Sequence, residues 1–201
     1  MRYLIAIDEA GRGPLAGPVA VGLVMVPEKF DVAAEFPGVR DSKKLSEKKR
    51  EEIFEALKRR AKVGDIRFCV CFSSHARIDK IGITQAVNRA LTTGVQHLTP
   101  RGPSSRRDIH IFLDGLLHAP SQYSQETIIR GDDLVPLISL ASIAAKVTRD
   151  RLMRQMAKKF PVYGFELHKG YGTLAHRNAI LKHGMCEIHR KSFCKNILRV
   201  Q

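Results

Sequence analysis

Apolar runs separated by polar or glycine-containing segments predict an alternation of strands and helices along the chain. Continuous or alternating apolar runs indicate strands, whereas apolar residues three and four positions apart indicate helices. The predicted strands cover residues 4–7, 19–26, 66–72, 109–113 and 127–129, and the predicted helices cover about 46–62, 78–98 and 137–159. Three strands followed by alternating helices and strands predict an α/β fold with a mixed sheet and helices on its faces.

Carboxylates stand where three of these apolar strands end. Asp8 and Glu9 follow the first strand, Asp114 follows the fourth and Asp132 follows the fifth. Strand ends at one edge of an α/β sheet meet in a common crevice. Adjacent carboxylates resist joint ionisation unless a cation lies between them. Oxygen ligands favour hard cations, so this pattern predicts bound Mg²⁺ or Mn²⁺, with two ions during catalysis. In the alternative interpretation, Asp114 and Asp132 are ordinary turn residues.

The chain carries a large excess of positive charge. It has 34 Lys and Arg residues against 20 Asp and Glu residues, a formal net charge of +14 over 201 residues. This balance favours a polyanionic partner, most simply a nucleic acid, although a basic surface is also compatible with mere solubility or an anionic lipid. The sequence lacks an apolar run of transmembrane length and a signal-peptide pattern, so we expect no membrane association and a cytoplasmic location.

The four cysteines fit reduced thiols in a cytoplasmic protein. Cys69 and Cys71 alternate on a predicted strand and are interpreted as small core residues. Cys186 and Cys194, near His183 and His189, raise the alternative of a zinc site, but their spacing follows no common zinc pattern.

Polar and basic side chains on one helix face provide candidate phosphate ligands. Ser142, Lys146 and Arg149 are spaced i, i+4 and i+7, which puts them on one face of the predicted helix. Together with Lys43 they are candidates for binding the phosphates of a nucleic acid. A solvated basic face is the alternative interpretation.

Nine short motifs, in order along nearly the whole chain, resemble the signature of the ribonuclease HII family. They are 8–14 (DEAGRGP), 16–19 (AGPV), 41–45 (DSKKL), 113–115 (LDG), 131–132 (GD), 141–150 (ASIAAKVTRD), 163–165 (YGF), 168–173 (HKGYGT) and 189–193 (HRKSF). Each is weak alone, and jointly they are highly specific. The chain departs from the family pattern at Leu116, where asparagine is frequent, at Gly82, where asparagine is common, and at Gly172, where proline is frequent.

The resemblance implies a ribonuclease H-like fold, with a five-stranded mixed sheet flanked by helices and a C-terminal helical part. Residues 1–201 would form one catalytic domain, with about 160–201 as a substrate-contacting segment. It also implies a metal-dependent endoribonuclease that cleaves the RNA strand of RNA–DNA hybrids, and we expect the protein to be a monomer. The same enzyme would incise duplex DNA 5′ of an embedded ribonucleotide, leaving 3′-hydroxyl and 5′-phosphate ends.

The resemblance further assigns residues to roles. Its four metal-binding catalytic carboxylates fall on Asp8, Glu9, Asp114 and Asp132, the last chosen over Asp133 because the family's acidic residue directly follows the glycine. The substrate-binding residues would be Gly11, Arg12, Gly13 and Tyr171, together with the candidate phosphate ligands from the spacing, Lys43, Ser142 and Lys146. In the family, the Gly-Arg-Gly turn and the tyrosine read the 2′-hydroxyl at an RNA–DNA junction. That group alone distinguishes RNA from DNA at a given sugar.

Two other classes of function remain open from the sequence. A non-catalytic, basic nucleic-acid-binding protein would need only the positive charge. Another two-metal nuclease of the same fold, such as a junction resolvase or a ribonuclease HIII, would share the carboxylates. Ribonuclease HIII usually carries an N-terminal substrate-binding extension, whereas the predicted catalytic strand here begins at residue 4.

Overall fold

A computed structural model of the chain describes residues 2–39, 44–64, 66–99 and 108–197. The strands are β1 (Tyr3–Ala10), β2 (Val19–Pro27), β3 (Arg67–Ser73), β4 (Ile109–Asp114) and β5 (Ser124–Ile128). They form one sheet in the order β3-β2-β1-β4-β5. The pairs β1–β2 and β2–β3 are antiparallel, and the pairs β1–β4 and β4–β5 are parallel. The predicted five-stranded mixed sheet is therefore confirmed.

Helices cover both faces of the sheet and form the C-terminal part of the described chain. They are α1 (Val32–Glu35), α2 (Glu47–Val63), α3 (His75–Ile81), α4 (Ile83–Leu98), α5 (Gly131–Leu134), α6 (Pro136–Lys159), α7 (Phe165–His168), α8 (Leu174–His183) and α9 (Lys191–Cys194), with a 3₁₀ turn at Pro161–Tyr163. None of the helices in the described ranges is both long and apolar enough to cross a bilayer.

The prediction of a single helix over 78–98 is wrong, because two helices occupy this region. Gly82, which has φ +80°, lies between the end of α3 at Ile81 and the start of α4 at Ile83. Residues with a side chain rarely adopt this backbone conformation, whereas glycine adopts it without steric cost. The apolar spacing continues across the break because both helices pack against the same face of the sheet, with Ile78 and Val87 in one core cluster.

Alternation along the central strand β1 separates two apolar layers. Ile5 and Ile7 pack with α3 and α4, whereas Ala6 points to the opposite face, among residues of α2 and α6. On β4, Ile111 and Leu113 share the first layer, and Phe112 packs against the second. This period of two sends Asp8 and Asp114, one position further along their strands, toward the α6 face.

Helix α6 lies very close to the sheet because small residues meet at the contact. A Cβ built on Gly22 of β2 would lie 2.3 Å from the carbonyl oxygen of Ala141 and 2.9 Å from the amide nitrogen of Ala145. Gly22 is paired directly with Asp8 across the antiparallel ladder. The close approach therefore sets the distance from α6 to the first predicted catalytic carboxylate.

A third apolar cluster joins the C-terminal helices to the loop between β1 and β2. Leu15 and Ala16 of this loop pack with Met153, Phe165 and Ile180. Ala16 also forms an isolated antiparallel bridge with His189. The predicted C-terminal helical part is confirmed, whereas the boundaries of the catalytic domain and of its substrate-contacting segment stay predictions.

We predict that Gly22→Ala destabilises the fold by overpacking the contact between β2 and α6. The added methyl group must push helix backbone rather than a flexible side chain, which typically costs about 1–3 kcal/mol. The thermal midpoint should fall by about 5 °C, measured by circular dichroism. Val63→Ala, at a side chain that is 73% exposed at the end of α2, is the control and should change the midpoint little. Equal midpoints for Gly22→Ala and the wild type would contradict the close contact.

Candidate active site

A cleft of about 580 Å³ opens where β1 and β4 end beneath helix α6. The register of the parallel pair puts Ile7 opposite Leu113, so Asp8 and Asp114 are neighbours at this edge. The cleft is lined by Asp8, Glu9, Ala10, Gly11, Arg12, Gly13, Arg50, Asp114, Ser142, Lys146 and Tyr171. It thus brings together nine of the eleven residues that the sequence assigned to catalysis or substrate binding.

The first two carboxylates lie in an environment that disfavours their ionised forms. Asp8 is 5% exposed. Burial, followed by repulsion from Glu9 and then Asp114, raises the pKa of Asp8 to about 8, although a hydrogen bond with Ser142 acts in the opposite direction. Burial also raises the pKa of Glu9, against the attraction of the Arg12 guanidinium. A cation placed between these carboxylates would therefore favour their ionised forms.

The third and fourth carboxylates lie beside each other, but Asp132 is not at a strand end. Strand β5 ends at Ile128, and Asp132 belongs to the short helix α5, so its predicted position is wrong. The backbone N–H of Asp132 donates to Asp114 Oδ1 at 3.3 Å, and the residue is buried without lining the cleft. Asp133 binds Arg130 through two hydrogen bonds of 3.1 and 2.7 Å.

The donor set of the site fits a hard divalent cation, although its side chains are not gathered around one point. Across the described residues, no three His, Cys, Asp or Glu side chains are arranged as a group that could hold a metal ion. The candidate donors are all carboxylate oxygens, which Mg²⁺ and Mn²⁺ prefer. Because the ionised form of Asp8 is disfavoured by burial and by neighbouring carboxylates, a cation would relieve the same electrostatic cost.

The glycine turn after β1 forms one wall of the cleft. Gly11 has φ +90°, a backbone conformation that residues with a side chain rarely adopt. The Arg12 guanidinium lies 3.4 Å from Glu9 Oε1 and donates to Thr84 Oγ1 of α4 at 3.3 Å. The turn is thus tied to both the carboxylates and a helix on the far face of the sheet.

Helix α6 and the segment before α8 form the opposite wall. Ser142 is hydrogen-bonded to Asp8, and Lys146 Nζ lies 3.0 Å from Asp150 Oδ1. The Lys146 ammonium is also 5.8 Å from the centroid of the Tyr171 ring, which is 40% exposed. This contact holds an aromatic face at the cleft by a cation–π interaction.

Arg149 is not available to bind phosphate, contrary to the prediction from helical spacing. Its side chain is fully buried, and all three of its described hydrogen bonds go to backbone carbonyl oxygens. The spacing correctly predicted the helix face but not the loop that covers it. Lys43, another predicted phosphate ligand, lies outside the described residues.

Sequence reasoning missed one basic residue of the cleft, Arg50. It lines the cleft from the N-terminal part of α2 and hydrogen-bonds the carbonyl oxygen of Leu45. Because α2 carries many charged residues, Arg50 resembled one more residue of a solvated face. Its position just after the motif at 41–45 is the one signal in the sequence that pointed to it.

Two buried histidines form a directed hydrogen-bond chain that ends at the cleft tyrosine. The amide N–H of Cys186 donates to His189 Nδ1 at 2.9 Å, so His189 carries its proton on Nε2. His189 Nε2 then donates to His176 Nε2 at 3.0 Å, and His176 Nδ1 donates to the carbonyl oxygen of Tyr171 at 2.9 Å. Both rings must be neutral for this chain to form.

These histidines do not form part of a zinc site. Cys186 Sγ lies 3.1 Å from His189 Nδ1, but Cys194 Sγ is directed at the carbonyl oxygen of Leu15, 3.8 Å away. His168 completes the local network, accepting from the Gly170 N–H at 3.2 Å and contacting the carbonyl oxygen of Tyr163 at 2.7 Å. The network therefore has a structural role around Tyr171.

Comparison with known proteins places the chain in a family. A sequence model of the ribonuclease HII family matches residues 5–196. The chain belongs to the ribonuclease HII family. A ribonuclease HII of Bacillus cereus strain Q1 is 45% identical over 195 residues, which cover 96% of this chain and 69% of that relative. The family consists of metal-dependent endoribonucleases with ribonuclease H activity on RNA–DNA hybrids, so a purely non-catalytic binding role is excluded.

Two solved structures share the fold. The ribonuclease H2 of Pyrococcus horikoshii OT3 has a TM-score of 0.76 at 22% identity, covering 98% of this chain and 97% of that one. Bst-RNase HIII, in a structure in complex with Mn²⁺, has a TM-score of 0.67 at 19% identity, covering 99% of this chain and 70% of that one. These likenesses confirm the ribonuclease H-like fold.

We predict that the histidine chain makes stability fall as the pH drops below about 6.5. Burial lowers the pKa of His176 to about 4, from an ordinary value of 6.5. Between these values the unfolded chain binds a proton that the folded chain excludes, so the unfolding free energy decreases as pH falls. The raised pKa of Asp8 acts in the opposite direction over the same range, so the loss from His176 is the difference between the wild type and His176→Gln. That difference should be about 2 kcal/mol between pH 7 and pH 5, measured by urea denaturation.

The matched comparison uses His176→Gln and His183→Gln, the second at an exposed histidine at the end of α8. His176→Gln should be less stable at pH 7 and should lose less stability on acidification. His183→Gln should behave as the wild type does. An unchanged pH dependence in His176→Gln would refute the role of this histidine.

Proposed function

We propose that the protein cleaves the RNA strand of RNA–DNA hybrids and also incises duplex DNA 5′ of a single embedded ribonucleotide. Cleavage would leave 3′-hydroxyl and 5′-phosphate ends. The observation that carries this proposal is the single cleft that combines Asp8, Glu9 and Asp114 with the turn 11–13 and Tyr171. Groups for phosphodiester hydrolysis and groups for sugar recognition thus line one cavity.

Divalent metal ions complete the proposed chemistry. Two Mg²⁺ or Mn²⁺ ions would be held by the carboxylates Asp8, Glu9, Asp114 and Asp132. Burial and repulsion from neighbouring carboxylates disfavour the ionised form of Asp8, and a bound cation would offset both effects. When bound, such ions supply an activated water and stabilise the leaving oxygen of a phosphodiester. The structure of Bst-RNase HIII with Mn²⁺ supports a divalent ion on this fold. The hydrogen bond from Ser142 would hold the Asp8 carboxylate in place.

The chain's own residues would position the nucleic acid. The net charge of +14 attracts the polyanion, and Lys146 at the cleft would contact its backbone. Backbone amides of the turn 11–13 would reach the 2′-hydroxyl of the ribonucleotide. The half-exposed Tyr171 ring would stack on the following deoxyribose and would clash with a second ribose there. The monomeric state and the cytoplasmic location stay predictions.

We predict that Asp8→Asn abolishes cleavage and leaves hybrid binding largely intact. The substitution removes a charged oxygen ligand, whereas most of the binding energy comes from basic residues elsewhere. Cleavage of a labelled hybrid and binding by fluorescence anisotropy test the two parts separately. Asp133→Asn is the control: it removes only the ion pair between Asp133 and Arg130 and should keep activity. Turnover by Asp8→Asn in excess Mg²⁺ would rule out the proposed role.

We predict that Tyr171→Ala loses more activity on an embedded ribonucleotide than on a uniform hybrid. Stacking on a base or sugar typically contributes about 1–3 kcal/mol, so the loss should be about tenfold or more. Tyr171→Phe should retain most activity because the ring remains. Leu174→Ala, at an exposed neighbour that does not line the cleft, is the control. Equal losses on the two substrates would contradict sugar recognition by Tyr171.

A further inference from the structure

Two fully buried arginines lie beneath the loop that carries the glycine turn. Arg149 of α6 and Arg190 before α9 are both 0% exposed. Arg149 donates to the carbonyl oxygens of Pro18 (2.9 Å), Lys169 (3.1 Å) and Ala16 (3.3 Å). Arg190 donates to those of Gly17 (2.9 Å), Arg12 (2.8 Å) and Gly11 (2.7 Å).

Neither guanidinium forms an ion pair with any described residue. Besides the carbonyl oxygens, each contacts an aromatic ring: Arg149 lies 5.9 Å from the centroid of the Tyr171 ring, and Arg190 lies 5.1 Å from that of Phe193. Burial lowers the pKa of both side chains, and that of Arg190, which also faces repulsion from Arg149, falls to about 9. Burying unpaired charge is costly, and apolar residues would fill the same volume at less cost. What apolar residues lack is the fork of N–H donors that fixes several carbonyls at once.

The hydrogen bonds of Arg190 determine where two amides of the glycine turn point. The C=O and N–H of one trans peptide point in opposite directions, and the described chain has no cis peptide bond. Because the carbonyls of Gly11 and Arg12 face Arg190, the N–H groups of Arg12 and Gly13 face away from it. Neither N–H donates to an acceptor within the described residues, and the turn lines the cleft.

Arg149 and Gly11 occupy complementary space. A Cβ built on Gly11 would lie only 1.9 Å from Arg149 Nε and 2.5 Å from its Cδ. Glycine is therefore required at this position for two reasons. It adopts the φ of +90°, and its lack of a side chain leaves room for the Arg149 guanidinium.

Arg149 also connects the loop that carries the glycine turn, through Ala16 and Pro18, to the segment that carries the cleft tyrosine. Its bond to Lys169 fixes a residue with φ +53°, a conformation that a lysine adopts only at some steric cost. Next to it, the Leu15 N–H donates to the carbonyl oxygen of Gly170 at 2.8 Å. Tyr171 follows directly, so the two loops are held together immediately before it.

We propose that Arg149 and Arg190 are positioning residues for recognition of the ribonucleotide sugar. Arg190 directs the amides of Arg12 and Gly13 into the cleft, and Arg149 sets the position of Tyr171 relative to those amides. This inference rests on the proposed function, in which the turn and Tyr171 read the sugar at the junction.

Arg149→Lys and Arg190→Lys test the inference, since lysine keeps the charge but cannot make three forked bonds. For each, kcat/KM is measured on a duplex with one ribonucleotide and on a uniform hybrid. The ratio of the two should fall about tenfold, a loss of about 1.4 kcal/mol in discrimination. Arg154→Lys, on the same helix but paired with Glu47 and Glu51, should keep the wild-type ratio.

A second control separates positioning from general loss of stability. Leu57→Ala truncates a buried residue of α2 in another core cluster and should lower the melting temperature without changing the ratio. Unchanged ratios in both arginine variants would overturn the inference, as would an equal fall in Leu57→Ala.

Hydrogen–deuterium exchange tests the geometry independently of activity. Arg190→Lys should increase exchange in residues 11–18, and Arg149→Lys should increase it both there and in 168–172. Arg154→Lys should change neither. No increase in 168–172 for Arg149→Lys would refute the link between the loops. A wild-type enzyme that leaves embedded ribonucleotides uncut would refute the proposed function instead, and the exchange data would still decide this inference.

Discussion

The parallel pairing of β1 with β4 is the constraint on which the candidate site depends. It brings Asp8 beside Asp114 at the same sheet edge, and the strand period turns both toward α6. The same arrangement buries Asp8, so the ionised carboxylate loses hydration just where like charges adjoin it. Folding thus stores an electrostatic cost that a divalent cation would relieve. Gly22, opposite Asp8 on β2, allows α6 and Ser142 to come close enough to complete this environment.

Two buried positive charges without ion pairs among the described residues lie on the other side of the same loop. The carboxylates stand at its start, whereas Arg149 and Arg190 hold its carbonyls from beneath. The loop carbonyls are directed toward the arginines, and the N–H groups of Arg12 and Gly13 point away from Arg190. The position of a few peptide planes therefore couples the rigid sheet, where hydrolysis would occur, to the C-terminal helices, where Tyr171 is held.

Local patterns in the sequence predicted those features that a strand or helix determines alone. The ends of the apolar runs of β1 and β4 predicted Asp8 and Asp114 as site carboxylates, and the helical spacing predicted the shared face of Ser142 and Lys146. Asp132 was placed wrongly because the apolar run ending at Ile129 hides the end of β5 at Ile128 and the short helix α5. The break at Gly82 was missed because α3 and α4 pack on one sheet face, which preserves the apolar spacing across it.

Features that depend on contacts distant in sequence could not be predicted in this way. Arg190 lies 179 residues from Gly11, whose carbonyl it binds, and nothing in its own neighbourhood distinguishes it from a surface arginine. His176 likewise takes its tautomer from His189 and Cys186, through bonds that only the folded C-terminal part creates. Motif resemblance marked His189 and Arg190, within 189–193, but not His176 or Cys186, and it gave no reason for the residue types. The structure supplies one: within 163–193, His176 and His189 hold the Tyr171 backbone, and Arg190 holds the glycine turn. The sheet and α5 provide the carboxylates independently of these contacts, so changes in this C-terminal segment should alter substrate discrimination more than they alter metal binding.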